Sequence, residues 1–286
     1  GNTVLGEGAL DASVSGGNNT AIGNNALTTN TSGQGNVAVG SAALESNTTA
    51  SYSVGIGYQV LASNTTGECV AIGFQALNAN TTGINNAAFG RYRPLFSNTT
   101  GDNNTALGDR SLYSNTTASN NTAVGYNALY SNTTGDQNVA VGHETLDANT
   151  TGSQNTAIGR SAMTANTTGE KNTACGNRAL KTLTTGSFNT AIGRGALEKN
   201  TTASNNTAVG YLSLEENTTG SSNVAVGLQS LDANTTGGEN TAIGTNALTS
   251  NTTASNNTAV GSNALLTTST GTGNSAFGHD CMEANT

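Results

Sequence analysis

Glycine returns along this chain with a beat that few folds can accommodate: Gly6, Gly23, Gly40, Gly57, Gly73, Gly90, Gly108, Gly125 and onward to Gly278, with fourteen of sixteen intervals equal to 17 residues, one of 16 and one of 18. The consensus unit reads N-T-A-V/I-G-x-x-A-L-x-x-N-T-T-G-x-x, and its positions are numbered here as columns one to seventeen. Seventeen residues are too few for a helix-turn-helix repeat, which needs over about thirty. They suffice for one coil of a solenoid in which each column stacks on itself.

The columns differ in how freely they vary. Column four is always apolar (Leu5, Ile22, Val39, Ile72, Val124, Val141), and column nine is Leu almost throughout (Leu27, Leu44, Leu129, Leu231), with Met163 and Met282 as substitutes. Column three is Ala in fifteen of seventeen units, the exceptions being Val4 and Gly55. Columns six, seven, ten, eleven, sixteen and seventeen drift. Both length changes fall in these variable stretches, at Glu68 and at Arg91-Tyr92-Arg93.

The segment N-T-A-V alternates with period two and ends at a glycine, as a short strand does before a tight turn. The expectation is an all-β parallel solenoid of about seventeen coils, built as a single repeat array over residues 1–286. The array starts and stops inside its pattern, which suggests a segment of a longer fibre. The expected core is the file of Ile22, Val39, Ile72, Val124 and Val141 together with Leu27, Leu44, Leu129 and Leu231. Gly23, Gly40 and Gly125 are expected at positive φ or close backbone approach. Asn47, Asn64 and Asn132 should form a turn ladder with side chains bonded to neighbouring amides. On a strand, column three faces away from columns two and four. Its constant small size then predicts a second close contact, a self-association face of Ala21, Ala38, Ala123 and Ala140.

Composition removes several classes. Charged residues make up 9% of the chain and hydrophobic ones 34%, against roughly 25% and 45–50% in ordinary domains. Coiled coils need more Glu, Lys and Arg, and no apolar run approaches the roughly 18 residues of a membrane-spanning helix. A net charge of -8 without a basic cluster argues against sequence-independent nucleic-acid binding.

The turn followed by Asn19-Thr20-Ala21-Ile22-Gly23, Asn36-Val37-Ala38-Val39-Gly40 and Asn223-Val224-Ala225-Val226-Gly227 resembles the head repeats of YadA-type trimeric autotransporter adhesins. The full unit, with A-L and N-T-T-G, is similar to repeats of bacterial surface and phage tail-fibre-type proteins. That resemblance implies a left-handed, trimeric β-roll serving as an extracellular stalk or adhesive head on a cell or virion. Its partners would be its own copies, as homotrimer or filament, and surface glycans.

No cofactor, metal site or catalytic group is expected. Cys69, Cys175 and Cys281 lie about six coils apart in succession, far beyond disulfide reach, and read as buried small hydrophobes. His279-Asp280-Cys281 would diverge as neighbours on a strand. Glu198, Glu215 and Asp232 share column ten and would stack about 5 Å apart, near the separation of a retaining glycosidase pair. A solvated acidic edge accounts for them as well. Tyr58 and Phe74 in column six, and Tyr113 and Tyr130 in column ten, are candidate glycan contacts, since aromatic faces stack on sugars. Twelve N-T-T triplets read as glycosylation sequons, but an Asn turn ladder explains all of them. Three functions follow from these readings: a non-catalytic fibre, an ice-binding threonine ladder, or a tailspike-like glycan-binding or glycan-cleaving surface. Against the second, adjacent threonines such as Thr48 and Thr49 face opposite ways and leave one outward Thr per coil in that segment.

Overall fold

The computed structural model describes residues 1–283 and shows an all-β parallel solenoid. Among the described residues there are seventeen strands, from β1 (Thr3–Leu5) to β17 (Ser275–Phe277), one per repeat and each covering columns two to four. All are three residues long except β5 (Cys69–Phe74) and β6 (Asn86–Tyr92). The chain forms two compact units, residues 1–140 and 141–286. Within each, strands pair in parallel with like columns in register, as Ala21 with Ala38 and Ala174 with Ala191.

The core inverts part of the sequence expectation. Ala21, Ala38, Ala123 and Ala140 of column three are fully buried, so they form no self-association face. They point inward against column eight and the column-nine leucines Leu27, Leu44, Leu129 and Leu231, which are buried as expected. Ile22, Val39, Val124 and Val141 are instead half-buried, and Ile72 is 38% exposed. Columns two and four therefore line the outer side of the sheet. Column three stays small because the interior is narrow. Gly55 shows this: a Cβ there would meet Val60 Cγ1 at 3.1 Å and Leu44 Cγ at 3.3 Å. This is the coil in which column eight carries Val60 instead of Ala, so one added side chain is matched by one removed.

Two amide ladders complete the interior. In column twelve, Asn47 Nδ2 donates to Asn30 Oδ1 at 2.9 Å, and the pattern repeats through Asn115 to Asn98 and Asn132 to Asn115. In column one, Asn19 Oδ1 accepts the Asn36 backbone N–H at 2.9 Å, while Asn36 Nδ2 donates to Ala50 O. Ala50 O also accepts Asn47 Nδ2 and so joins the two ladders. The side chains of the sequon asparagines Asn47, Asn64 and Asn132 are fully buried, which withholds them from glycosylation in the folded coil.

Gly23, Gly40 and Gly125 have φ of 135, 134 and 133. A Cβ at Gly23 would sit 2.5 Å from Gly40 O in the next coil. Both expectations for this column hold. The column-nine leucines are also left-handed, with Leu27 at φ 53 and Leu44 at φ 52, a conformation that costs a non-glycine residue about 1–2 kcal/mol. Burial of the whole side chain, worth about 1.5–3 kcal/mol, offsets that cost.

The Gly55–Val60 match gives a double-mutant test. Gly55→Ala should destabilise by about 1–3 kcal/mol through overpacking. Adding Val60→Ala, which restores the consensus pair, should recover most of that loss in chemical denaturation. Additive effects of the two substitutions would contradict the packing account.

Candidate functional surfaces

With the interior occupied by columns one, three, eight, nine and twelve, function falls to the outward columns. The first candidate surface is the sheet face. Column four is apolar in every repeat and projects outward in register, with Ile158 42%, Ile192 42% and Ile243 40% exposed. Column two beside it carries Thr156, Thr173, Thr190 and Thr207 in succession. Cys175 occupies column four and is exposed, contrary to its expected burial, while Cys281 is half-buried. Only Cys69 is buried; burial pushes its thiol up to about 11, against the opposing hydrogen bonds of Asn86.

The second surface lies on residues 58–130. Tyr58 stacks on Phe74 with ring centroids 5.6 Å apart, and Phe74 on Tyr92 at 5.5 Å. Tyr113 stacks on Phe96 at 5.3 Å and on Tyr130 at 5.2 Å. The candidate aromatics are thus brought together in two files, each extended by a ring from the long coil. That coil continues the sheet through β6 as far as Tyr92. Its extra residue is absorbed as a bulge that pairs Phe74 with Tyr92, and Pro94 is buried in the alanine file of column eight. Arg93 spans the files, its guanidinium carbon 5.0 Å from the Tyr92 ring centre and 4.9 Å from that of Phe96. Sequence reasoning left Tyr92 and Phe96 out of the files; the pattern Leu95-Phe96 at columns nine and ten could have placed Phe96.

The third surface is the acidic file. Glu198 is buried and ion-paired to Arg178, and Lys199 pairs with Glu216. Burial raises the carboxyls of Glu215 and Asp232 above their ordinary 4.5 and 3.8, and neighbouring carboxylates add to both shifts. The edge is therefore half-buried rather than freely solvated. Among the described residues no group of three or more His, Cys, Asp and Glu side chains could hold a metal ion. His279 Nδ1 lies 2.7 Å from Asp280 Oδ2 at an exposed corner. Columns six and seven belong to a turn, so these neighbours meet where strand geometry would separate them.

Raised carboxyl values fix the sign of a pH effect. The folded state holds its protons more tightly than the unfolded one, so this contribution is greatest below the ordinary values. It is lost as pH rises through the raised ones. Glu215→Gln and Asp232→Asn should each raise the melting temperature at neutral pH and flatten its decline between acid and neutral pH, read by circular dichroism.

No protein-family model matches the chain, and no curated protein matches it, so these surfaces themselves carry the functional reading.

Proposed function

We propose that this chain is a segment of a non-catalytic structural or adhesive fibre outside a cell or on a virion, and that its copies associate through the outer sheet face. One observation carries the reading. Outward columns six, seven, ten and eleven drift among polar, charged and aromatic residues and the exposed column fourteen holds Thr or Ser, yet column four, also outward, is apolar in all seventeen repeats. Nothing in the interior requires that choice. Extended apolar patches on a soluble surface mark contacts with other molecules, and a regular file is complementary to the same file on a second copy. A homotrimer, as the adhesin-like motif implies, lets three such faces cover one another.

The same face supports a second reading. Thr156, Thr173, Thr190 and Thr207 sit in register beside Ile158, Cys175, Ile192 and Val209. An outward threonine row at a strand spacing of about 4.8 Å is the kind of surface an ice-binding solenoid would present. Val139 and Val224 interrupt the threonine row, whereas column four has no polar interruption; this favours association.

Solution mass separates the two. Sedimentation equilibrium should give three chain masses, and Ile158→Glu with Ile192→Glu should give one. Oxidation should link chains through Cys175, since in-register association brings like residues together. A monomeric wild type that slows ice growth in a thermal-hysteresis assay would transfer the face to the second reading; a monomer without that activity would refute both.

A further inference from the structure

We propose that the aromatic files of residues 58–130 form a binding site for an anionic polysaccharide, with sugar rings on the tyrosine and phenylalanine faces and the acidic groups on arginine. This goes beyond the fibre reading and does not depend on the sheet face.

The rings alone would be a structural stack; the charges around them say more. The chain carries -8 overall and nine Lys and Arg residues. Within residues 1–140 the basic residues are Arg91, Arg93 and Arg110, and all three stand among these rings. A charged side chain placed merely for solubility would be scattered. Column six runs Tyr58, Phe74, Tyr92, Asp109, Tyr126, so a short side chain takes the place of a ring in the fourth of these coils. The result is a groove of about 510 Å³ lined by Phe74, Arg91, Tyr92, Asp109, Arg110 and Tyr126.

The polar groups in the groove are unequally committed. Asp109 accepts the Tyr92 backbone N–H at 3.0 Å and pairs with Arg91 at 3.1 Å through its other oxygen. It acts as a floor that fixes the bulge. Arg91 donates to that second oxygen through both Nε and Nη2 at 3.1 Å, with its side chain 88% exposed. Arg93 is held by Gln75 Oε1 at 2.7 Å. Arg110 lies over the Tyr92 ring at 5.4 Å and, among the described residues, has no carboxylate partner. A guanidinium held against an aromatic face, with its hydrogen-bonding edge uncommitted, suits an oxyanion carried on a flat sugar ring. Two guanidinium groups against one carboxylate line the groove, and Arg93 stands beside it on the Tyr92 ring, which leaves this region positive on an otherwise acidic protein. A polyanion would therefore be drawn to this site and repelled elsewhere. The ring files run along the stacking direction of the coils, so successive residues of a polymer could lie along them.

Affinity electrophoresis of the whole chain through gels containing polygalacturonate, dextran sulfate or neutral dextran tests this directly. Retardation is expected in one or both anionic gels, the two arms distinguishing carboxylate from sulfate, and none in neutral dextran. Arg110→Gln, which breaks no ion pair, should weaken retardation at least threefold, and Arg91→Gln with Arg110→Gln at least tenfold. Tyr92→Leu should also weaken it, because the ring is part of the site. Melting curves within a few degrees of wild type would show that the variants keep the coil. Absence of retardation in both anionic gels overturns the proposal. So does retardation that survives the double arginine substitution, or that is indifferent to Tyr92→Leu and therefore reflects charge alone.

Discussion

The constraint from which the rest follows is that every side chain in an in-register parallel stack meets its own copy about 4.8 Å above and below. An interior built this way cannot mix shapes freely, because any side chain it accepts must pack against itself. Leucine and alanine satisfy this through apolar contact. Asparagine satisfies it by chemistry: its amide is both donor and acceptor, so each Nδ2–H can reach the preceding Oδ1, as from Asn217 to Asn200 and Asn234 to Asn217. Aspartate could not, having no hydrogen to give when ionised. The buried polar content of the coil is therefore large but almost fully paired, and it sets register as firmly as the apolar files do.

Much of this is visible in the sequence because repetition exposes it. The period, the parallel stacking, the buried leucines, the glycine conformations and the amide ladder of Asn47, Asn64 and Asn132 all follow from column identity. The inside–outside choice for the strand does not. Period two says that Ala21 opposes Thr20 and Ile22, but three residues are too few to say which side is the core. Larger apolar side chains invite the wrong answer, because burial is usually judged by size. Gly55 beside Val60 held the correcting information, since only a shared tight interior would couple those two columns. Two further features had no sequence signal: a left-handed leucine in column nine, and the bulge that delivers Tyr92 into the aromatic file.

Once the faces are assigned, the division of labour between columns becomes clear. Inner columns hold the coil and accept only single, compact exceptions, as Val60 does opposite Gly55 and Leu183 does between Asn166 and Asn200. Outer columns after the glycine carry no such obligation and specialise locally: rings and guanidinium groups between Tyr58 and Tyr130, carboxylates around Glu198 and Asp232. Column four stands apart as an outward column that behaves like an inward one. That contrast is what supports the proposal that copies meet on the sheet face rather than at the turn corners.

Leu183 and Thr268 break the amide file of column twelve. Asn166 Oδ1 and Asn251 Oδ1, directly before them, are buried and accept no hydrogen bond. In residues 1–140 the file runs unbroken from Asn30 to Asn132, whereas beyond Leu183 it spans only Asn200 to Asn251. Neighbour coupling is what lets a repeat array melt as one body. At these two sites one of the two amide links between coils is lost, while the column-one ladder continues through Asn172 and Asn189 and through Asn257 and Asn274. Residues 141–283 are therefore coupled less evenly from coil to coil than residues 1–140.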